Sequence, residues 1–372
     1  MRSAGARALR VAAWLFGDEP VERFLVPLVA DAEAEASALA AQGDAARAAQ
    51  ARRRACVAFL FTLPHVVVRT QPRGAARWGV PALIAGACSL FVLGSIEPVM
   101  ARAQATWLVI GALVFAGTRA LGRRWLEVPP KGAFVLAVLA VLPAWIAGER
   151  WLRLGHTWVV WSELARPVFL LCVGLLLEAP QRGRVLERAL GVPLIASVWY
   201  AAGVRTSDPS VPLVYGAAAC AALAGRRAPG TRAASIACAA LGLAAMLFAV
   251  PEWGLVYLGS SPPAHTDGLL SILAARSGPN ALVLPVGALV GVALAPVRAS
   301  SRPMARAFSA ALFVQMFAYF GAALHALPSL GLALPLLSYS GSAVVGLLAS
   351  LGLVAGISHG ETTSAPRAAS RA

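Results

Sequence analysis

Charged residues are scarce in this sequence, because Asp, Glu, Lys and Arg make up only 13% of its 372 residues. Soluble domains carry roughly 25% charged residues, so the composition argues against a soluble globular protein. Apolar residues make up 59% and occur in long blocks, and a helix needs about 20 consecutive apolar residues to cross the hydrocarbon core of a bilayer. The sequence therefore predicts an all-α, polytopic membrane protein with about ten transmembrane helices.

Cysteine is also rare, and its pattern excludes the usual disulfide and zinc frameworks. The five cysteines lie in apolar stretches and form no C-x-x-C pair, and no histidine stands at metal-ligand spacing. We interpret the cysteines as small buried apolar residues and predict no metal site built from them. They are Cys56, Cys88, Cys172, Cys220 and Cys238.

The net charge of +15 comes from arginines that lie in the short gaps between apolar blocks. A nucleic-acid-binding protein would instead present a continuous basic face, so we predict no nucleic-acid partner. The predicted spans cover residues 78–97, 104–121, 132–148, 157–177, 189–204, 211–224, 233–250, 280–297, 305–326 and 334–357.

The basic residues alternate between the two sides of this layout. The loops after the second, fourth, sixth and eighth spans, with the adjoining span ends, contain 13 of them. The alternate loops contain five: Arg102, Arg150, Arg153, Arg205 and Arg276. Because basic loops remain in the cytoplasm, we predict that both termini are cytoplasmic.

The N-terminal region differs in composition from the rest. Residues 1–54 are predicted to form a cytoplasmic, helical and amphipathic extension, with a solvated helix over residues 31–54. Residues 55–76 are apolar but too short to span, which indicates an interfacial or half-inserted segment. The membrane domain is expected over residues 77–358, followed by a disordered cytoplasmic tail over 359–372.

Two charged residues fall inside the fourth predicted span. Glu163 and Arg166 are spaced i, i+3, so they can pair on one helix face. Charges inside a membrane are candidates for function by default, and a purely structural ion pair is an equal alternative. Gln315 and His325 on the ninth span are weaker candidates, for which interhelical hydrogen bonds are the expected role.

One loop on the predicted outer side contains no lysine or arginine. It runs over residues 251–267 and ends in His265, Thr266 and Asp267. An aspartate there can act as a general base or bind a cation, so a divalent cation is a candidate cofactor, and a neighbouring histidine can tune its ionisation. The alternative is that Asp267 caps the following helix.

The last predicted span begins with prolines, glycines and serines, in the sequence LPSLGLALPLLSYSGSA over residues 327–343. A broken, polar backbone at membrane depth is tolerated only against protein or a wet cavity. We therefore expect it to shape a site, with close helix packing through small residues as the alternative. The side chains concerned belong to Ser338, Tyr339 and Ser342, next to Gly341.

These segments resemble the SEDS proteins, the FtsW, RodA and SpoVE group of cell-shape and cell-division proteins. PPAHTD over 262–267 resembles the family's P-E-A-H-T-D, and residues 327–343 resemble its L-P-T-K-G-L-T-L-P-L-x-S-Y-G-G-S-S. LASLGLVAGIS over 348–358 continues the match, and Gln315 falls where the family has a glutamine. The resemblance covers about the last third of the chain.

The resemblance implies a peptidoglycan glycosyltransferase of cell-wall biogenesis. Such a protein polymerises lipid II, a lipid-linked disaccharide, at the outer face of the cytoplasmic (inner) membrane of a bacterium, usually beside a transpeptidase-type membrane partner. Asp267 matches the aspartate proposed to be catalytic in the family. Its carboxylate would accept the proton of an attacking sugar hydroxyl while the lipid diphosphate leaves. His265, Thr266, Gln315 and the 338–342 segment would bind substrate or shape the site.

The sequence departs from the family pattern at several positions. Ala275 and Arg276 stand in place of two family glutamates, Leu330 in place of a lysine and Pro263 in place of a glutamate. The family's glycine-rich segment upstream of the loop is not recognisable. These departures keep open a non-catalytic membrane scaffold that binds wall-synthesis partners, and a lipid flippase or transporter is a second alternative.

Overall fold

The computed structural model describes most of the chain. The described residues are 21–23, 25–51, 76–125, 127–154, 157–178, 185–224, 231–249, 278–323 and 332–363, together with Leu9, Leu270, Leu273 and Leu327.

Ten helices occupy the described residues between 76 and 363, which confirms the all-α, polytopic fold. They are α2 (Ala76–Ile96), α3 (Pro98–Trp125), α4 (Pro130–Ala147), α5 (Trp161–Leu177), α6 (Val185–Arg205), α7 (Ser210–Ala224), α8 (Thr231–Ala249), α9 (Val283–Ala299), α10 (Pro303–Ala323) and α11 (Gly341–Thr363). Each coincides with one predicted span. Two stretches, Pro98–Gly122 and Gly341–Ser358, meet the criteria of length and hydropathy for crossing a membrane, and the other apolar stretches are shorter.

Two predicted spans begin later than the hydropathy pattern indicates. The fourth was expected from residue 157, but residues 157–160 form a strand and α5 begins at Trp161. The last was expected from residue 334, but α11 begins at Gly341, after a turn in which Leu336 has a φ of 67°. In both places the residues are apolar while the backbone is not helical, which a hydropathy window cannot detect.

A β-hairpin joins α4 to α5. Strand β1 (Trp151–Leu154) pairs antiparallel with β2 (Thr157–Val160), so that Trp151 lies opposite Val160 and Arg153 opposite Trp158. Helix α4 ends at Gly148, whose φ of 65° is the left-handed conformation common after a helix. The hairpin therefore connects the ends of two neighbouring helices of the bundle.

The N-terminal region contains α1 (Val26–Ala41), which begins earlier than the predicted 31–54 helix and also ends earlier. Gly43 has a φ of 82° and interrupts the helix. A second helical stretch follows over 45–51, where the carboxylate of Asp44 accepts the Arg47 backbone N–H at 2.9 Å. The predicted single helix is therefore wrong, because a glycine in the left-handed region ends the first helix and an aspartate caps the second.

The chain divides into two compact units. The first comprises Met1–Cys88 and Ser277–Val292, and the second Ser89–Arg276 and Ala293–Ala372. In the first unit, α9 packs closely on α2, since a Cβ added at Gly291 would lie 3.2 Å from the Cβ of Pro81.

The second unit is organised around α11, which packs most extensively on α3 and also contacts α5. Small residues allow the close approach of α11 and α3, because a Cβ on Gly352 would collide with Phe115 and one on Gly356 with the Arg119 carbonyl. In α11, 83% of the most apolar stretch of 18 residues is buried inside the protein, whereas in α3 only 11% of the corresponding stretch is buried. Helix α11 is thus a central helix, whereas α3 lies on the outside of the unit.

Aromatic rings fill the space between α5, α6 and α7. The Phe169 ring packs edge-on against Trp199 and Tyr215, with centroids 5.2 and 4.7 Å apart. The Phe169 contacts hold α5, which carries the charged residues, against α6 and α7.

Cys172 and Cys238 are buried, while Cys88 and Cys220 are partly buried, and all four are free thiols.

Candidate functional site

Glu163 and Arg166 lie on the first turns of α5 and form an ion pair inside the bundle. Arg166 Nη2 donates to Glu163 Oε2 at 2.5 Å. The two residues are only 5% and 4% exposed, so both charges have been removed from water and from lipid. The i, i+3 spacing brings them together on one helix face, as the sequence predicts.

Gln315 of α10 completes this cluster by bonding to both charged groups. Its Oε1 accepts from Arg166 Nη2 at 2.8 Å, and its Nε2 donates to Glu163 Oε1 at 3.1 Å. The same Nε2 donates to the Ala333 carbonyl at 2.6 Å, which connects the cluster to the segment before α11. We call Glu163, Arg166 and Gln315 the charged triad.

A second buried carboxylate, which the sequence analysis missed, lies beside the triad. Asp208 is completely buried, and its Oδ1 accepts from the Ser210 backbone N–H at 3.1 Å and from the Ser210 hydroxyl at 2.5 Å. Its Oδ2 accepts from the Ser162 hydroxyl and pairs with Arg150 Nε, each at 3.3 Å. The sequence Asp208-Pro209-Ser210 contains the signal, since an N-cap aspartate followed by proline marks a helix start. Its burial beside α5 depends on tertiary packing.

The turn before α11 folds around backbone and hydroxyl groups. Ser338 donates its hydroxyl to the Leu334 carbonyl at 2.8 Å, and its own carbonyl accepts from Gln104 Nε2 at 3.3 Å. Ser340 caps α11 by accepting the Ala343 N–H at 3.4 Å. Ser342 accepts the backbone N–H of Val160 at 3.2 Å, so the turn is attached to the hairpin.

Two glycines of α11 hold this helix against its neighbours at the site. A Cβ at Gly341 would occupy the space of the Trp107 indole, and a Cβ at Gly346 would collide with the Glu163 carbonyl oxygen. Both positions therefore require glycine for the observed packing. Tyr339 packs instead against Val92 and Leu93.

A small cleft, with free space for about one water molecule, opens onto these residues. It is lined by Ser162, Glu163, Arg166, Ser210, Val214, Tyr215 and Leu332. Tyr215 donates its hydroxyl to the Ser162 carbonyl. Among the described residues, Arg166 Nε and Nη1 have no hydrogen-bond partner although both atoms are buried. A guanidinium with donors to spare in a protein-lined cleft can bind an anionic group.

The predicted site residues fall into two groups in the structure. Glu163, Arg166 and Gln315 come together in one group. Gln315 donates to the Ala333 carbonyl, which precedes the turn that contains Ser338. The Val160 N–H, directly before α5, donates to the Ser342 hydroxyl after that turn. His265, Thr266, Asp267 and His325 lie outside the described residues. Within the described part of the chain, no group of three or more His, Cys, Asp or Glu side chains could hold a metal ion.

Comparison with known proteins extends these observations. A family model described as a cell cycle protein, FTSW_RODA_SPOVE, matches residues 255–363. The crystal structure of the rod shape determining protein RodA from Thermus thermophilus matches with 26% identity and a TM-score of 0.59. A mutant of that protein matches with 25% identity and a TM-score of 0.60. These matches cover 76% of this chain and 96% and 97% of the RodA chains.

A third similar structure is described as "Structural coordination of polymerization and crosslinking by a peptidoglycan synthase complex". One of its chains matches with 24% identity and a TM-score of 0.60, over 76% of this chain and 97% of that one. No curated protein sequence matches significantly.

The fold and the site define a class, the polytopic helical membrane proteins that bury charged groups within the bundle. Within that class, the family model over residues 255–363 and the RodA structures show that the chain is similar to the SEDS family. The resemblance predicted from residues 262–267 and 327–358 is confirmed, and the structural match extends it well beyond the last third of the chain.

Proposed function

We propose that this protein is a glycosyltransferase that polymerises lipid II at the outer face of the cytoplasmic membrane, for cell division or the maintenance of cell shape. Similarity to the SEDS family supports the broad role in peptidoglycan synthesis. The observation that carries the enzymatic assignment is the charged triad beside its cleft, because charged groups inside a membrane bundle are candidates for function.

Burial of the triad has a cost that must be offset. Removing an ion pair from water costs several kcal/mol per ion, and apolar residues of similar volume are often as stable or more so. The triad also leaves two Arg166 nitrogens without partners among the described residues. Such an arrangement is explained by an anionic ligand that binds there during function.

The proposed reaction assigns separate roles to Asp267 and Arg166. The Asp267 carboxylate accepts the proton of the acceptor sugar hydroxyl. That oxygen forms a bond to the anomeric carbon of the donor sugar, while the bond from that carbon to the lipid diphosphate breaks and the diphosphate leaves with the electron pair. Arg166 stabilises the negative charge of the diphosphate, and Glu163 and Gln315 orient the guanidinium.

The cellular setting is part of the proposal. A transpeptidase-type membrane partner is expected, by analogy with the matching chain in a peptidoglycan synthase complex.

The distribution of arginines supports a cytoplasmic location for both termini, with residues 1–54 as an extension, 55–76 as an interfacial segment and 359–372 as a tail. After removal of the native cysteines, an impermeant thiol reagent should label a cysteine at Ser260 in intact cells, but not one at the exposed Ser301. The reverse pattern would contradict this orientation.

The direct test is polymerisation of lipid II by purified protein, alone and with candidate transpeptidases. Asp267→Asn should abolish glycan synthesis and leave abundance intact, because a general base contributes about 10²–10⁴-fold in rate while asparagine remains a good helix cap. Chelation of divalent cations in the same assay tests whether a cation assists. Wild-type rates from Asp267→Asn would exclude the proposed base.

The scaffold alternative is favoured by the replacements at Ala275 and Arg276. It predicts that Asp267→Asn cells grow normally while cells that lack the whole protein do not. It also predicts no polymer from the wild-type protein with any partner. These results together would replace the enzyme by a scaffold.

A further inference from the structure

Helix α4 has an apolar stripe on its exposed side. Six large side chains at helical i, i+3, i+4 and i+7 spacing are 42–74% exposed: Val135, Val138, Leu139, Leu142, Trp145 and Ile146. In a polytopic membrane protein such a stripe faces lipid. The stripe reaches the last turn of α4, directly before the hairpin.

The hairpin continues this surface with a different composition. Trp151, Arg153 and Trp158 are all exposed, and the strand register places them on the same side of the hairpin. Trp151 is 47% and Trp158 55% exposed, whereas Val159 on the opposite side is buried. Tryptophan is enriched where bilayer and water meet, because its ring is apolar and its N–H polar.

Arginines border the same surface. The guanidinium of Arg205, at the end of α6, lies over Gly148, where a Cβ would come within 3.1 Å of Nη2. Arg150, Arg153 and Arg205 are three of the five basic residues in loops that are otherwise poor in positive charge. Arg150 pairs with Asp208, and the side chains of Arg153 and Arg205 lie exposed at the surface.

We propose that Trp151, Arg153, Trp158 and Arg205 form a binding surface for the headgroups of anionic phospholipids. The lipid-facing stripe of α4 is continuous with the hairpin, so the two tryptophans lie at the level where hydrocarbon gives way to headgroups. The positive charge of Arg153 and Arg205 complements lipid phosphate at that level. This surface anchors the hairpin, and through the bond between Ser342 and Val160 it supports the turn before α11. The proposal does not depend on the proposed enzymatic function.

Fluorescence quenching in reconstituted vesicles tests the surface locally. The full chain contains ten tryptophans, so the hairpin signal is obtained as the difference between the wild-type protein and a Trp151→Phe, Trp158→Phe double variant. In one measurement the vesicles contain phosphatidylglycerol or phosphatidylcholine that carries bromine atoms close to the headgroup. In a second measurement iodide is added to the water as the quencher. We expect headgroup-proximal bromine to quench the difference signal and iodide to have little effect. Strong iodide quenching without bromolipid quenching would show that the hairpin stands in water, and would overturn the proposal.

Charge-neutral variants test the arginines separately. In vesicles where bromine is carried only by phosphatidylglycerol at a low fraction, Arg153→Gln and Arg205→Gln should each weaken lipid binding about fivefold, the value expected for one surface arginine. Arg124→Gln is the matched control, because Arg124 is exposed at the far end of α3, and it should leave hairpin quenching unchanged. Equal quenching in all three variants, or equal quenching by the two brominated lipids, would overturn the assignment of an anionic headgroup.

Discussion

Helix α5 carries a carboxylate near each of its ends, and the two are held in different ways. Glu163, at the first turn, pairs with Arg166, and side chains of both residues are about 5% exposed. Glu178, just after the last turn, accepts from Arg302 Nη1 and from the Met304 backbone N–H, both at 3.1 Å. The Arg302 side chain is 25% exposed and that of Glu178 only 3%, so this second pair retains access to solvent through its arginine.

The comparison separates a structural ion pair from a candidate site. Glu178 lies at the N-terminus of α10, where a carboxylate satisfies an unpaired backbone N–H and the helix dipole favours negative charge. That role explains Glu178 without any ligand. Glu163 also lies in the first turn of a helix, where the dipole favours negative charge. The charged triad differs because two buried nitrogens of Arg166 have no hydrogen-bond partner among the described residues.

The largest effect is expected from removing only the positively charged member of the triad. Arg166→Met leaves the Glu163 carboxylate buried without its cation, which typically costs about 3–5 kcal/mol. The Glu163→Gln, Arg166→Met double variant removes both charges and should recover most of that loss. Thermal unfolding in detergent measures both. Equal destabilisation by the single and double variants would mean that packing volume, not charge, is responsible.

A slightly smaller effect is expected at Gly346, where α11 lies in close contact with the Glu163 backbone. Gly346→Ala places a methyl group against the Glu163 carbonyl, and overpacking of this kind costs about 3 kcal/mol at its upper range. Gly117→Ala in α3 is the matched control, because a Cβ there meets nothing within 4 Å, and it should be neutral or slightly stabilising. If the two variants unfold at the same temperature, α11 does not constrain the triad.

The next largest effect is expected from loss of the Gln315 amide, which bridges Glu163 and Arg166. Gln315→Leu removes one hydrogen bond to each charged group and one to the Ala333 carbonyl, and buried polar groups left without partners cost about 1–3 kcal/mol. Gln315→Glu keeps the size but adds a second negative charge beside Glu163, and should be worse. A stable Gln315→Glu variant would indicate that Glu163 is not ionised next to Arg166.

The smallest effect is expected at the other end of α5. Glu178→Gln keeps an acceptor for the Met304 N–H and loses only the charge attraction to Arg302, which is partly exposed. The expected loss of stability is about 1 kcal/mol or less, and it should diminish at high salt. A loss as large as that of Arg166→Met would remove the distinction between the two ends.

The sequence predicts the helices well because hydropathy reports burial in lipid directly. It also predicts the Glu163–Arg166 pair, since i, i+3 spacing is local to one helix. The sequence also predicts interhelical hydrogen bonds for Gln315, which the structure shows. The identity of its partners and the burial of Asp208 could not be predicted, because they depend on how α7 and α10 pack beside α5. The late starts of α5 and α11 were missed for another reason: strand and turn residues there are as apolar as the helices that follow.

The distinction between the two ends of α5 is tested most directly by the rate of lipid II polymerisation in two charge-neutral variants. Glu163→Gln, Arg166→Met removes the pair beside the cleft, and Glu178→Gln, Arg302→Met removes the pair at the opposite end. Both should fold, because each removes the two charges together. We predict that the first variant loses roughly 10²–10³-fold in rate, as expected for loss of electrostatic stabilisation, while the second keeps nearly the wild-type rate. Wild-type rates from both variants would contradict the assignment of the triad to catalysis.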